Sequence, residues 1–198
     1  METSEEWFKA IIEKDNKKID ELISSGIDIN IQNEDENTAL ILSVDNILGY
    51  NSSIFNKMLS LGADANIHNG SGYTALHNAC FIKNTSCIKK LIKAGADVNL
   101  PHHYYGHSLM ISIYVNDYEA SKILIKAGSE LDIKNHNGQD FYNCLKSKRM
   151  VRRMVNDLAF QRSLPEDILL KLSKYNLINK NIKIQKVELF KAYGWGLI

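Results

Sequence analysis

The sequence predicts an all-α solenoid of stacked helix pairs, and two recurring motifs carry that prediction. The first is Gly-x-Asp-x-Asn, which begins at Gly26, Gly62 and Gly95 and, in degraded form, at Gly128, with spacings of 36, 33 and 33 residues. The second keeps the same period and is best preserved as Thr74-Ala-Leu-His-Asn-Ala79. A fixed period of this length indicates units that must stack, because none can bury its apolar face alone.

Each motif has a local physical role. Gly62, Gly95 and Gly128 follow amphipathic stretches, where a residue with positive φ is expected to end a helix. Asp64 and Asp97 are then expected in a tight turn, since a short carboxylate can accept hydrogen bonds from nearby backbone N–H groups. The sequence therefore predicts a helix, a glycine stop and a turn in every unit.

The second motif predicts the start of the following helix. Thr74 is a good N-cap, because its hydroxyl can accept a hydrogen bond from a free N–H of the first turn. Leu76, Ala79 and Cys80 follow at helical spacing and are expected to face the core. The unit is thus a helix pair joined to the next by an extended loop.

The period of about 33 residues and the Thr-x-Leu-His-x-Ala start resemble ankyrin repeats. The resemblance covers about residues 5–159 and implies loops, called fingers, that display partner-contacting side chains. It divides an ankyrin domain at residues 1–160 into five units with degenerate ends. Their predicted boundaries are 5–36, 37–72, 73–106, 107–138 and 139–160.

The units differ in ways that the sequence makes visible. The first lacks the Thr-x-Leu-His start and carries many charges, as expected of a capping repeat. The second is three residues longer than its successors, and the extra residues are predicted to lengthen the loop near residues 48–52 between its helices. The fourth begins at His107 and has lost both the Thr and the His of the motif.

Composition and charge narrow the function classes. Residues 1–50 hold 12 Asp and Glu against four Lys, and residues 146–198 hold 12 Lys and Arg against four Asp and Glu. The acidic end argues against general nucleic-acid binding, whereas the basic end suits an acidic partner. The chain has no apolar run of membrane-spanning length and no secretion leader, so we expect neither insertion nor export.

The cysteines and one basic cluster bear on location. Cys80, Cys87 and Cys144 are odd in number and fall at core positions, so we expect reduced, buried thiols in a cytoplasmic protein. The basic residues of 146–149, with Arg152 and Arg153, form either a nuclear localisation patch or a solvated helix face. We favour the solvated face, which keeps the nucleus as an alternative compartment.

A leucine-rich segment follows the last repeat and reads Leu164-Pro-Glu-Asp-Ile-Leu-Leu-Lys-Leu172. A Pro at the first helical position, followed by two acids, is a well-formed helix start. The segment resembles the abbreviated F-box of ankyrin proteins from poxviruses and rickettsia-like intracellular bacteria. That resemblance implies an F-box-like unit at residues 161–198 that stands outside the stack and binds the Skp-type adaptor of a cullin-RING ubiquitin ligase. The residues it implicates are Leu164, Pro165, Ile168, Leu169 and Leu172.

The same leucines also fit a simpler interpretation, a C-terminal helix that only caps the last repeat. The F-box interpretation is preferred, because the segment continues well past what a cap needs and its lysines suit an acidic adaptor surface. It further implies an effector that acts in the cytoplasm of a host cell.

The third finger is the strongest candidate for target binding. Exposed tyrosines beside histidines make good interface anchors, because aromatic side chains bury much area at little entropic cost. The residues at the equivalent tips of the other fingers fit target contacts and ordinary turns equally well. The target-binding residues predicted are His68, Asn69, His102, His103, Tyr104, Tyr105 and His136.

The sequence gives little support for a metal site or a catalytic site. His102, His103 and His107 could suggest zinc, but zinc sites need four ligands in fixed geometry and no cysteine lies nearby in sequence. No Ser-His-Asp or Cys-His arrangement has supporting context. We therefore expect a monomeric, non-enzymatic adaptor without cofactor or metal, which binds a target protein and recruits the ligase. The alternative is an ankyrin scaffold or inhibitor that binds its partner without ligase recruitment.

Overall fold

The computed structural model describes residues 2–45 and 47–144, and ten single residues beyond them. Those ten are residues 150, 153, 156, 157, 160, 164, 166, 169, 170 and 172. Within this described part the chain forms nine α-helices. They are α1 (Glu2–Glu13), α2 (Asn16–Ser24), α3 (Ala39–Leu42), α4 (Ser52–Ser60), α5 (Ala75–Phe81), α6 (Thr85–Lys93), α7 (Ser108–Tyr114), α8 (Tyr118–Lys126) and α9 (Phe141–Cys144).

The helices pack as the sequence predicts. α1 packs against α2, α3 against α4, α5 against α6 and α7 against α8. The first helices also form a continuous row, α1–α3–α5–α7–α9, and α6 contacts α8 in the second row. The fold is an all-α ankyrin solenoid, so the predicted fold class is confirmed.

The helix ends follow the two motifs. Gly62, Gly95 and Gly128 have φ values of 79°, 91° and 94°, which confirms their role as helix stops. Thr74 caps α5 and accepts a hydrogen bond from the His77 backbone N–H, while the His77 ring accepts one from the Thr74 N–H at 3.1 Å. This capping box satisfies two backbone donors that the helix itself cannot pair.

The fourth unit replaces both motif residues with one side chain. His107 is the N-cap of α7, and its Nδ1 accepts a hydrogen bond from the Met110 N–H at 3.4 Å. Its Nε2 donates to the Glu130 carbonyl at 2.8 Å, which ties the helix start to the next finger. A single imidazole therefore caps the helix and links two repeats.

The asparagine of the Gly-x-Asp-x-Asn motif links each unit to the next. The side-chain oxygens of Asn30, Asn66 and Asn99 accept hydrogen bonds from the following unit's turn at 2.9, 2.7 and 2.9 Å. Within the turn, the carboxylates of Asp64 and Asp97 accept the backbone N–H two residues later, both at 2.8 Å, as predicted. A ladder of asparagines thus runs along the solenoid.

The second unit has the long loop that its three extra residues predict. Nine residues, 43–51, separate α3 from α4, whereas three separate α5 from α6. The Asp45 carboxylate shapes this loop by accepting the N–H groups of Ile47 and Leu48. α3 is correspondingly short, with four residues against seven in α5 and α7.

The hydrophobic core extends along the stack and into the C-terminal residues. Trp7, Phe55 and Phe141 are fully buried in one cluster with the described C-terminal side chains. Those side chains are Met150, Phe160, Leu164, Leu169 and Leu172. Cys80 and Cys87 are buried free thiols, as predicted, but Cys144 is only half-buried.

Candidate binding surface

Four fingers join the helix pairs, at residues 27–38, 63–74, 96–107 and 129–140. Each is closed by a backbone hydrogen bond between positions four residues apart, such as Asn69 N–H to the Tyr73 carbonyl at 2.9 Å. The third finger is closed twice, because His102 and Gly106 exchange hydrogen bonds of 2.7 and 2.8 Å. A finger whose backbone is satisfied locally can leave its tip side chains free for a partner.

The imidazole of His102 lies inside the third finger and is only 2% exposed. Its Nδ1 accepts hydrogen bonds from the backbone N–H groups of Tyr104 and Tyr105 at 3.1 and 3.2 Å. The ring packs on Tyr73, with centroids 4.2 Å apart, and stacks with the exposed His103 at 4.6 Å. Burial lowers the pKa of His102, and the neighbouring His103 lowers it further.

Tyr105 connects the finger to the helices. Its ring lies edge-on against Phe81 at the end of α5, at 5.1 Å, and tilts against Tyr114 at the end of α7, at 5.3 Å. Burial raises the pKa of the Tyr105 hydroxyl. The finger is therefore held to the first-helix row by aromatic contacts, which are worth up to about 1.5 kcal/mol each beyond their buried area.

Tyr104 points outward and is 48% exposed. Its ring stacks on His136 of the fourth finger, with centroids 4.9 Å apart, and the His136 N–H donates to the Tyr104 carbonyl at 3.1 Å. Tyr114, at 70% exposed, continues the aromatic surface onto α7. We call the exposed side chains of His103, Tyr104, Tyr114 and His136 the aromatic surface.

The structure separates the predicted target-binding residues into two groups. His68, His103, Tyr104 and His136 are exposed and available to a partner. Asn69, His102 and Tyr105 instead hold the fingers together, and the prediction that His102 contacts a partner directly is corrected by its burial. Sequence reasoning also missed Tyr114, although an aromatic residue just before a helix-ending turn was a usable signal.

The C-terminal leucines are placed differently from their prediction. Leu164, Leu169 and Leu172 are buried in the core cluster, so the expectation that they stand outside the stack is wrong. A terminal helix that caps the last repeat would bury its leucines in this way. Pro165 and Ile168 lie outside the described residues, as do residues 146–149 and Arg152 of the basic cluster.

Asp157 ties this C-terminal stretch to α8. Its carboxylate accepts hydrogen bonds from the Tyr118 hydroxyl at 3.0 Å, from Lys122 Nζ at 3.2 Å and from the Phe160 backbone N–H at 2.8 Å. Lys122 also pairs with the exposed Glu119 on its own helix. The contact combines a charge pair with an N-cap-like hydrogen bond.

Among the described residues, no three His, Cys, Asp or Glu side chains are grouped so that they could hold a metal ion. The helices of the described part are too short or too polar to cross a bilayer.

Comparison with known proteins bears on the middle of the chain. Residues 46–135 match the family model described as ankyrin repeats (3 copies). This stretch runs from the long loop of the second unit to the fourth finger and includes the whole aromatic surface except its last member, His136. The comparison with curated proteins found no match. Ankyrin repeats are protein–protein interaction modules, so the chain carries such a module.

Proposed function

We propose that this protein is a non-enzymatic adaptor that binds a target protein through the aromatic surface of its third and fourth fingers. The observation that carries the proposal is the pairing of Tyr104 with His136, two exposed rings stacked across neighbouring fingers. A stacked pair on a closed hairpin loses little conformational entropy when a partner covers it. Tyrosine is also among the residue types enriched at binding hot spots.

The charges of the first finger support a polypeptide partner over nucleic acid. The first finger carries Glu34, Asp35 and Glu36, and all three are exposed. Phosphate backbones are repelled by such a row, whereas a protein surface of mixed charge is steered by it. The domain division proposed for this function is an ankyrin domain at residues 1–160 and a C-terminal unit at residues 161–198.

Capture of partners tests the target site. The full chain, the double variant Tyr104→Ala/His136→Ala and the control Ile12→Ala are immobilised and exposed to the same cell extract. Ile12 is 50% exposed on α1, so the control removes a comparable apolar side chain at the far end of the stack. We expect at least one protein bound by wild type and control to be depleted about tenfold or more on the double variant, a loss of about 1.4 kcal/mol. Equal capture by all three proteins would move the binding site elsewhere.

Ligase recruitment through the C-terminal unit is the finer part of the proposal and rests on the F-box resemblance alone. The burial of Leu164, Leu169 and Leu172 instead supports the alternative, a cap on the last repeat. Under the ligase hypothesis the unit would leave the stack before it meets a Skp-type adaptor, and opening would weaken binding by its own free-energy cost. The alternative function is then a scaffold or inhibitor that binds its partner without ligase recruitment.

One titration separates these alternatives. The full chain is titrated with a purified Skp-type adaptor, and Leu164→Ala/Pro165→Ala serves as the matched variant. Saturable binding by the wild type that the variant loses supports recruitment and an effector role in the cytoplasm of a host cell. If neither protein binds while both retain the target, the capping interpretation holds.

A further inference from the structure

The four fingers share one position that shapes the loop, and the third finger fills it differently. Asn33, Asn69 and Asn135 occupy this position in the first, second and fourth fingers, and His102 occupies it in the third. Successive positions are 36, 33 and 33 residues apart. All four residues donate their backbone N–H to the carbonyl four residues later. The position is thus equivalent in structure as well as in sequence.

The three asparagines use their side chains in one way. Each side-chain oxygen accepts the backbone N–H groups two and four residues later, at distances between 2.8 and 3.1 Å. An amide oxygen is an acceptor at every pH that a folded protein meets. The hydrogen bonds that these asparagine oxygens accept therefore do not depend on the protonation of the acceptor.

His102 supplies an acceptor at the same position from an imidazole nitrogen, to the N–H groups two and three residues later. Its Nδ1 accepts the N–H groups of Tyr104 and Tyr105, which are the residues that carry the aromatic surface and anchor it to Phe81. Nδ1 can accept these bonds only while it is unprotonated, with the ring proton on Nε2. A second proton turns Nδ1 into a donor that faces two other donors.

We propose that His102 is a positioning residue that makes the third finger proton-sensitive: the neutral ring holds Tyr104 and Tyr105 in their binding arrangement, and protonation releases them. The importance of this release for target binding rests on the proposed function. The structural change itself does not.

The surroundings of His102 resist the second proton down to acidic pH. The rings packed on it are His103 and Tyr105 of the same finger, Tyr73 before α5, and His77 on α5. Burial and the neighbouring His103 lower the pKa of His102, and no acid of the described residues forms an ion pair with the ring. Release is therefore expected at a lower pH than an ordinary histidine would need.

The chain itself suggests the matched variant. His102→Asn places an amide oxygen where Nδ1 stands and copies the other three fingers without a titrating group. NMR spectra of the full-length wild type and of His102→Asn are recorded from about pH 8 to about pH 4. The readouts are the His102 ring nitrogens, the amides of Tyr104 and Tyr105, and the amides of Asn33 and Asn37 in the first finger, which contains no histidine, as an internal control.

We expect the wild-type Tyr104 and Tyr105 amides to shift with the same midpoint as the His102 ring and to lose about tenfold in hydrogen-exchange protection relative to His102→Asn at the same acidic pH. The control amides and the variant stay unchanged across that midpoint. Equal pH dependence in the variant, or titration of His102 without any response of the tyrosine amides, would overturn the proposal. These spectra need no partner, so they stand even if the target binds elsewhere.

The pH dependence of target affinity tests the functional consequence of this release. Its affinity is expected to fall about tenfold from neutral to mildly acidic pH for the wild type and to hold for His102→Asn. If the finger opens at the titration midpoint of His102 while pH does not change the target affinity of either protein, the assignment of His102 stands. The target site of the proposed function is then wrong.

Discussion

The third finger and the leucine-rich segment at residues 164–172 use their apolar side chains in opposite ways. The finger satisfies its backbone through hydrogen bonds of its own, so Tyr104 stays 48% exposed at its tip. In the leucine-rich segment, Leu172 is 0% exposed and belongs to the core cluster. An apolar side chain is thus displayed where its loop satisfies its own backbone, and is buried where it joins the core.

The largest effect is expected from shortening a buried leucine of the C-terminal segment. Leu172→Ala removes a fully buried side chain and should lower the free energy of unfolding by about 2–5 kcal/mol, because it leaves a cavity. Leu170→Ala is the matched control, since Leu170 is 60% exposed and the change should stay within about 0.5 kcal/mol. Urea unfolding measures both, and equal effects would show that the segment is not part of the core.

Acidification is expected to destabilise the repeats that carry the histidines. Burial lowers the pKa of His77 to about 3 and also lowers that of His107, so the folded state binds fewer protons than the unfolded chain. The stabilising contribution of His77 is complete above the unfolded pKa of about 6.5 and is lost as pH falls from there towards about 3. The contribution of His107 is lost in the same direction. All six histidines lie between residues 68 and 136, so no histidine of the C-terminal segment adds to this effect.

The urea midpoint should therefore fall between pH 7 and pH 4, with little change in slope. His77→Gln is the control, because Gln can keep the capping box without titrating in this range. Its midpoint should depend less on pH than that of the wild type. A midpoint that falls equally in both proteins would place the acid sensitivity outside His77.

Within the finger, the two adjacent tyrosines are expected to differ. Tyr105→Ala removes ring contacts with Phe81, Tyr114 and His102 and should cost about 1–3 kcal/mol of stability. Tyr104→Ala removes a ring that is half in solvent and should cost less than about 1 kcal/mol. Thermal unfolding of the two variants tests the order, and a larger loss for Tyr104 would reverse their assigned roles.

The smallest effect is expected at the contact between Asp157 and α8. Asp157→Ala removes hydrogen bonds to Tyr118, Lys122 and the Phe160 N–H and should destabilise the protein by about 1–2 kcal/mol. Glu119→Ala removes only an exposed partner of Lys122 and should change stability by less than about 0.5 kcal/mol. Urea unfolding compares the two, and a null result for Asp157 would mean that the leucines alone hold the segment.

Local sequence motifs predicted most of the fold, because they encode conditions met within a few residues. Gly62 ends a helix through its own φ, and Thr74 caps one through its own hydroxyl. The same logic identified the third finger as aromatic and loop-like. What it could not supply was the environment of each side chain, which depends on residues about 30 positions away.

His102 in the third finger and Leu172 in the leucine-rich segment both illustrate this limit. His102 was predicted to touch a partner because its neighbours are aromatic, yet the ring turns inward to bond the backbone of Tyr104 and Tyr105. Leu172 fits either a binding motif or a cap, and its burial in the core cluster favours the cap. The asparagine spacing that aligns His102 with Asn69 and Asn135 was present in the sequence, and it was the signal that could have assigned the structural role.

The comparison is tested most directly by measuring the affinity of the captured target for Tyr104→Ala and Leu172→Ala, at a temperature where both variants are folded. We predict that Tyr104→Ala loses about tenfold or more in affinity with near-normal stability. Leu172→Ala should bind like the wild type despite its lower stability, because it acts in the core at the far end of the stack. Full affinity in Tyr104→Ala together with lost binding in folded Leu172→Ala would contradict this account and return target binding to the C-terminal segment.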